Sequence, residues 1–383
     1  MIVFQYVLLH FLLLVTIIYF CRKISFASND ALYWKYATIP IIAYTIEEGL
    51  RWGRETDWSL YYKVYSILAG GEWTNHEFLF QILWKAFAFC GLPYPAVISI
   101  CSFLFIFSLF FFLKNYKEVI WIALPLCVAN HLIAASNLIR WYTAISLFLI
   151  SLGLINRKKT LAGYVLLMLS FFFHYGMAPI GLIYLLCKNC KCIAKPFWAV
   201  VTCLALIFLF DKSVLSHFSV LYNIFNGIGR FAMYFDHGME RLMQQAHETK
   251  SIAITLFTFI PFFAFIIYGY KLKLKRVITD CHYNLIVLAS YIKIVSDGLE
   301  IFIRYYRALD FFICLGAAYV FSYLRKNYHL TQQKIFLVFV CFYIVRKFIF
   351  MMQPYEYDEY MLYLWNSNRM DPMDIYYFRQ SLR

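Results

Sequence analysis

Long apolar runs broken by short polar stretches recur from one end of the chain to the other. Runs of roughly 15 to 20 residues without alternation predict spanning helices and exclude a β-barrel, which alternates with period two. The pattern places about 12 spanning helices, over approximately 2–20, 32–50, 96–113, 119–132, 142–155, 161–173, 177–186, 197–210, 252–270, 283–296, 308–324 and 335–352. The segment 73–90 reads differently. Glu77, Gln81 and Lys85 recur at spacing four among Phe78, Phe80, Leu83, Trp84 and Phe87. That is an amphipathic helix lying at the membrane interface, closed by Gly91-Leu92-Pro93. The fold class is therefore all-α, a polytopic integral membrane protein forming one multi-spanning domain over 1–383.

Charge sets the orientation. With segment 73–90 held at the surface, the inner segments carry about half of the 35 Lys and Arg. Of the 21 acids they carry only Asp30, Glu118 and Asp280. Short loops rich in Lys and Arg mark the cytoplasmic side. Both termini are then outside, as are the segments 51–95, 133–141, 211–250, 297–307 and 353–383. Segment 211–250 predicts short helices on the membrane surface. The tail, acidic and tyrosine-rich at 355–360, suits an interfacial lid. The first apolar run lacks a basic front end and a small-residue cleavage site, so it reads as a retained helix and not a signal peptide. No internal repeat of fixed period is found.

Composition agrees: 63% of residues are hydrophobic and 15% charged, against about half and a quarter in a soluble domain. The net charge of +14 follows from the basic inner loops and needs no nucleic acid. The 11 Cys fall mostly inside apolar runs and read as small buried hydrophobes. Cys187, Cys190 and Cys192 lack a fourth ligand, so no zinc site is expected.

Lone polar residues flanked by apolar sequence collect at the outer helix ends: Arg51, Asp57, Glu77, Asn137, Arg140, His174, Glu300, Arg304 and Arg307. Ionisable groups at membrane depth are costly and face a cavity or a partner. The stretch 51–61, with two arginines, two carboxylates, two tryptophans and Tyr61, is expected at the mouth of a cavity on which Arg140, His174, Arg304 and Arg307 converge. Asn137 and Arg140, three apart, would share a helix face, as would Arg304 and Arg307. The arginine fork suits phosphate; the plainer reading is an ion pair with Glu77 or Glu300. His174, Asp57 and Glu77 are the candidate bases. Glu47 and Glu48 close a helix against its dipole and require basic neighbours. No Asp-x-Asp pair, metal-spaced His/Cys cluster, Gly-rich phosphate loop or Gly-x-Ser-x-Gly elbow occurs in the places such chemistry needs.

Arg51-x5-Asp57-x3-Tyr61, Glu77-Phe78, Asn137-x2-Arg140 and Phe173-His174-Tyr175-Gly176, with Arg304-Tyr305-Tyr306-Arg307 further on, resemble the EpsG family of bacterial polysaccharide-assembly proteins. These are similar to Wzy-type O-antigen and capsule polymerases. Trp141 stands where such proteins often carry Gln. The resemblance implies glycosyl transfer at the outer face of the bacterial cytoplasmic membrane, from one undecaprenyl-pyrophosphate-linked glycan to another. Asp57, Glu77 or His174 would be the base. Arg51, Arg140, Arg304 and Arg307 would hold pyrophosphate, with Asn137 beside them, and Trp52, Trp58 and Tyr61 would stack on sugars. Implied partners are lipid-linked glycans, membrane lipid and a chain-length regulator, with no cofactor, metal or nucleic acid. Competing readings are a transferase adding one sugar from a polyprenyl-phosphate donor, a transporter of lipid-linked glycans, and a membrane acyltransferase.

Overall fold

In the computed structural model every described element longer than two residues is helical. The structure describes residues 2–55, 57–210, 252–298, 302–327, 330–353, 362–366 and 369–381. The predicted surface helices at 211–250, the acidic stretch 355–360 and Glu300 lie outside the described residues. Six helices among those described are long and apolar enough to cross a membrane: Phe4–Ser25, Tyr94–Tyr116, Ile120–Asn137, Ile139–Asn156, Leu256–Leu274 and Phe302–Lys326. Apolar helices of 10–17 residues add to them.

The chain divides into two packing units, 1–179 with 344–383, and 180–343. The first opens with α1 (Ile2–Ser25) and α2 (Asp30–Gly49). Asn29 starts α2 by accepting the Leu32 N–H at 2.9 Å, and Asp30 suits the positive end of the helix dipole. α2 ends at Gly49, where a Cβ would sit 2.4 Å from Ser99 Oγ and 2.7 Å from its Cα. Only glycine lets α2 approach α5 (Tyr94–Leu113) this closely. The chain then runs through β1 (Arg51–Trp52) into α3 (Trp58–Ala69) and α4 (Phe78–Phe89).

α4 has 12 residues, about 18 Å of helix, too short for a bilayer core of about 30 Å. Its polar stripe faces the protein. Gln81 is 4% exposed, whereas Phe78 is 62% and Phe89 94% exposed. Gln81 accepts from the Thr74 N–H at 2.7 Å and donates to the His76 carbonyl at 2.5 Å. Phe80 and Trp84 are buried beside Gln81, at 0% and 1% exposure, while the outward face carries apolar residues alone, as expected where lipid replaces water. The helix is thus amphipathic, with the stripe turned to the protein interior.

α6 (Ile120–Asn137) and α7 (Ile139–Asn156) follow with one residue, Leu138, between them. Both run further toward each other than the apolar pattern predicts. α8 (Thr160–Phe173) ends at His174 in extended backbone, and α9 (Met177–Asn189) crosses the unit boundary after Pro179. The C-terminal segment belongs to this first unit. β2 (Leu362–Tyr363) pairs antiparallel with β1, matching Arg51 to Tyr363 and Trp52 to Leu362. The Met370 carbonyl accepts from Trp52 Nε1 at 2.8 Å, and Lys63 meets the Tyr376 hydroxyl at 3.1 Å. Tyr6, near the other end of the chain, lies against the same loop, residues 50–57, its ring 5.7 Å from the Arg54 guanidinium.

The second unit contains α10 (Pro196–Leu209), α11 (Ile252–Leu274), α12 (Asp280–Gly298) and α13 (Phe302–Lys326). Its core includes Phe265, Ile266, Ile286, Val287, Ile313 and Cys314. Buried Asn284 pins the basic loop before α10. It accepts the Ile193 N–H at 3.0 Å and donates to the Cys190 carbonyl at 2.7 Å. Lys293, a lone cation inside α12, pairs with Asp297 one turn on. All 11 cysteines are free; Cys127, Cys203 and Cys314 are buried as expected, but Cys101 is half-buried, and Cys90, Cys190 and Cys192 are exposed. α14 (Thr331–Met351) crosses the boundary between the units, and α15 (Pro372–Ser381) closes the described chain.

Candidate functional site

Two charged clusters form in the first unit. The first gathers at the end of α2. Arg54 pairs with Glu48 and lies 3.4 Å from Glu47 Oε1. Arg51 donates to the Glu48 and Ser136 carbonyls, the latter at 3.0 Å, and Ser136 Oγ donates to Glu48. The Tyr363 hydroxyl donates to Glu47 at 2.9 Å. His10 Nδ1, bonded to the Tyr6 carbonyl at 2.9 Å, also lies 3.2 Å from Glu47. Two carboxylates and two guanidiniums thus meet in a site where none exceeds 7% exposure. The basic neighbours demanded by Glu47 and Glu48 are Arg54 and Arg51.

This corrects the expectation that Arg51 stands at an open mouth. At 3% exposure it lines a cavity with Ser102, Ser136, Tyr142 and Thr143 that has room for about one water. Its Nε has no hydrogen-bond partner among the described residues. Trp58 and Tyr61 also differ from expectation, being 1% and 7% exposed. Trp58 packs against Trp52 and Tyr94 at 5.1 and 5.2 Å, and Tyr61 against Phe80 and Trp84 at 6.2 and 5.8 Å. Their rings build the core of the α3–α4 hairpin and present no open face to a sugar.

The second cluster is partly open. Arg140, on the first turn of α7, donates from Nη1 to Glu77 Oε2 at 2.6 Å and to His76 Nδ1 at 3.0 Å. Its guanidinium lies over Phe80, 6.0 Å from the ring centre. His174 Nδ1 is 3.9 Å from the other Glu77 oxygen. Side-chain exposure is 20% for Arg140, 14% for His174 and 10% for Glu77. Arg140 Nε and Trp141 Nε1 have no acceptor among the described residues. The Gly176 N–H donates to His174 Nδ1 at 3.1 Å, which places the proton of the neutral imidazole on Nε2. Trp141 meets the imidazole edge-on at 4.6 Å. A Cβ at residue 176 would sit 2.9 Å from the Trp141 ring and 3.1 Å from His174 Nδ1. Burial, and then the Arg140 charge, push His76 down to about 4.

Asn137 and Arg140 do not share a face. The break at Leu138, with φ −96 and ψ 56, puts them on different helices. Asn137 Oδ1 accepts the Asp57 N–H at 2.9 Å at the start of α3, while Arg140 faces Glu77. The structure therefore brings Glu77, Arg140 and His174 together, and ties Asp57 to Asn137. Arg304 and Arg307 belong to the second unit, on the first turns of α13, which starts before them and not after. Three apart on one helix, they share a face as expected.

Sequence reasoning passed over His10, His76 and Tyr363, and counted Arg54 only as one of the two arginines of the stretch 51–61. His10 was legible as a lone polar residue in the first apolar run. The partners of His76 and Tyr363 lie too far along the chain for spacing to find.

Apolar outward faces, basic loops and part-buried charge at helix ends define an all-α integral membrane protein with a polar site in its first unit. The chain matches the EpsG family over residues 34–365 and belongs to that family. No curated protein and no solved structure matches it. Membership makes it a membrane protein of polysaccharide biosynthesis.

Proposed function

We propose that the protein polymerises undecaprenyl-pyrophosphate-linked oligosaccharide repeat units at the outer face of the bacterial cytoplasmic membrane, for a surface polysaccharide such as an O-antigen or capsule. The observation that carries the reading is the Glu77–Arg140–His174 cluster, charged, partly open and held by three helical elements.

The reaction requires an acceptor hydroxyl to attack the anomeric carbon of the donor glycan. The new C–O bond forms as the bond to pyrophosphate breaks, and the electron pair leaves on the phosphate oxygen. Glu77 takes the hydroxyl proton, oriented by Arg140. Arg140 stabilises the departing pyrophosphate. His174, with Nδ1 engaged by Gly176, serves as a donor from Nε2 to phosphate. Asp57 and Asn137 hold the α3 start beside the acceptor path. Arg51 serves the site indirectly, by fixing the loop that carries Asp57. A chain-length regulator is a partner consistent with this activity.

The test is the lipid-linked glycan pool in a strain lacking the protein, read by gel and mass spectrometry. Single repeat units accumulating on the outer leaflet with polymer lost is the expected result. Units trapped on the inner leaflet would mean a transporter. Polymer of normal length missing one sugar would mean a single-sugar transferase. In the complemented strain, Arg140→Ala is expected to fold and make no polymer.

A further inference from the structure

His76 was not among the residues that carry the family resemblance, yet it holds the guanidinium on which the proposed chemistry depends. Arg140 makes two contacts from one nitrogen, Nη1, to Glu77 at 2.6 Å and to His76 Nδ1 at 3.0 Å. An imidazole nitrogen can accept that N–H only when it carries no proton, so His76 is neutral with its proton on Nε2. Its backbone is fixed as well. The His76 carbonyl accepts from Gln81 Nε2 at 2.5 Å, and Gln81 is itself buried and bound to Thr74 at 2.7 Å. The ring stands edge-on to Phe80, 5.8 Å between centres, and Phe80 also underlies Arg140. The imidazole is thus built into the site as an acceptor of fixed direction.

From this geometry we infer that His76 is a positioning residue for the reaction: its Nδ1 anchors one nitrogen of Arg140 so that the rest of the guanidinium faces the leaving group. The inference rests on the polymerase reading above. Without His76 the guanidinium would keep one hydrogen bond among the described residues, to Glu77, and the Phe80 ring beneath it, so its direction would be less fixed. Two acceptors at Nη1 leave Nε, itself buried, without a partner among the described residues.

A pH dependence follows. The charged and titratable groups facing His76 are Arg140 from α7, its neighbour Glu77 and, beyond Glu77, His174 from the α8–α9 turn. A proton on Nδ1 replaces an N–H···N bond with two facing donors beside a guanidinium. His76 is a base held below its ordinary 6.5, at about 4, so the contact is intact near neutrality and fails as pH falls through that lower value.

The experiment compares polymer formation by washed membranes containing endogenous lipid-linked repeat units, for wild type, His76→Leu, His76→Asn and Arg140→Ala. Asparagine places an oxygen acceptor near the Nδ1 position and does not titrate. His76→Leu is expected to lower polymer formation by roughly 100-fold through misplacement of the cation. His76→Asn is expected to keep most of the activity and to hold it at lower pH than wild type. Melting of the detergent-solubilised proteins reports whether each variant folds. If His76→Leu unfolds, the asparagine variant decides: loss equal to that of leucine overturns the role. Full activity of a folded His76→Leu, with Arg140→Ala inactive, overturns the role and leaves the polymerase reading standing. An active Arg140→Ala overturns that reading itself.

Discussion

The two charged clusters of the first unit use the same residue types to opposite ends. Around Glu48, Arg51 and Arg54 are closed in by His10, Ser136 and Tyr363, with each arginine at most 3% exposed. Around Glu77, a single arginine is 20% exposed and keeps a buried nitrogen without an acceptor. The first set is shut off from solvent, although Arg51 Nε, His10 Nε2 and Glu47 Oε2 have no hydrogen-bond partner there among the described residues. The second leaves its cation partly exposed, beside a carboxylate at 10%. The difference teaches that charge at a helix end is not by itself a site, and that the degree of closure separates scaffold from candidate chemistry.

The comparison breaks most readily at Arg54. Arg54→Ala leaves Glu47 and Glu48 buried with one guanidinium between them. Removing one partner from a buried ion pair costs about 3–5 kcal/mol, so we expect a large fall in melting temperature and in the yield of folded protein. Arg140→Ala should act the other way round. Its stability should lie within about 2 kcal/mol of wild type, because Glu77 is left with a path to solvent, while activity falls by about 10²–10³-fold. Thermal melts and polymer assays on both variants check the contrast. Equal stability losses would remove the distinction between scaffold and site.

A second, smaller break is at Gly176. The added methyl of Gly176→Ala must displace the Trp141 ring or His174. Overpacking of this kind costs about 1–3 kcal/mol. Because the displaced groups belong to the open cluster, activity should fall more than stability. Wild-type activity in this variant would show that the position of His174 does not matter to the reaction.

Much of this was legible in the sequence, for definable reasons. Uninterrupted apolar runs and basic short loops identify the membrane class without any contact information. The acidic pair at 47–48 stood against its helix dipole, and the demand for basic neighbours was met by Arg51 and Arg54. Short-range spacing failed where the chain turned without a signal. Leu138 breaks the helix with neither Pro nor Gly, so Asn137 and Arg140 part company. The family resemblance implied sugar stacking by Trp58, yet Trp58 fills the core beneath Tyr94, whose hydroxyl bonds the Trp58 carbonyl at 2.8 Å. The contacts from His10 and Tyr363 to Glu47, and from His76 to Arg140, join residues 37, 316 and 64 positions apart. No periodicity relates such pairs; only the folded chain does.

The smallest expected effect sharpens the comparison from the side of the C-terminal segment. Tyr363→Phe keeps the ring, which stacks on Trp365 at 4.5 Å, and keeps the β1–β2 pairing, which is backbone alone. It removes one donor from Glu47, whose Oε1 still has Arg54 at 3.4 Å. A single hydrogen bond to a carboxylate that retains another partner is worth about 1–2 kcal/mol. The variant should therefore melt slightly below wild type and well above Arg54→Ala. Polymer formation should be unchanged, since neither Arg140 nor Glu77 is touched. Faster cleavage after residue 353 by an added protease, without loss of activity, would mean that the hydroxyl fastens the C-terminal segment to the closed cluster. A loss of activity as large as that of Arg140→Ala would instead mean that the closed cluster takes part in the chemistry, and the division between the two clusters would fall.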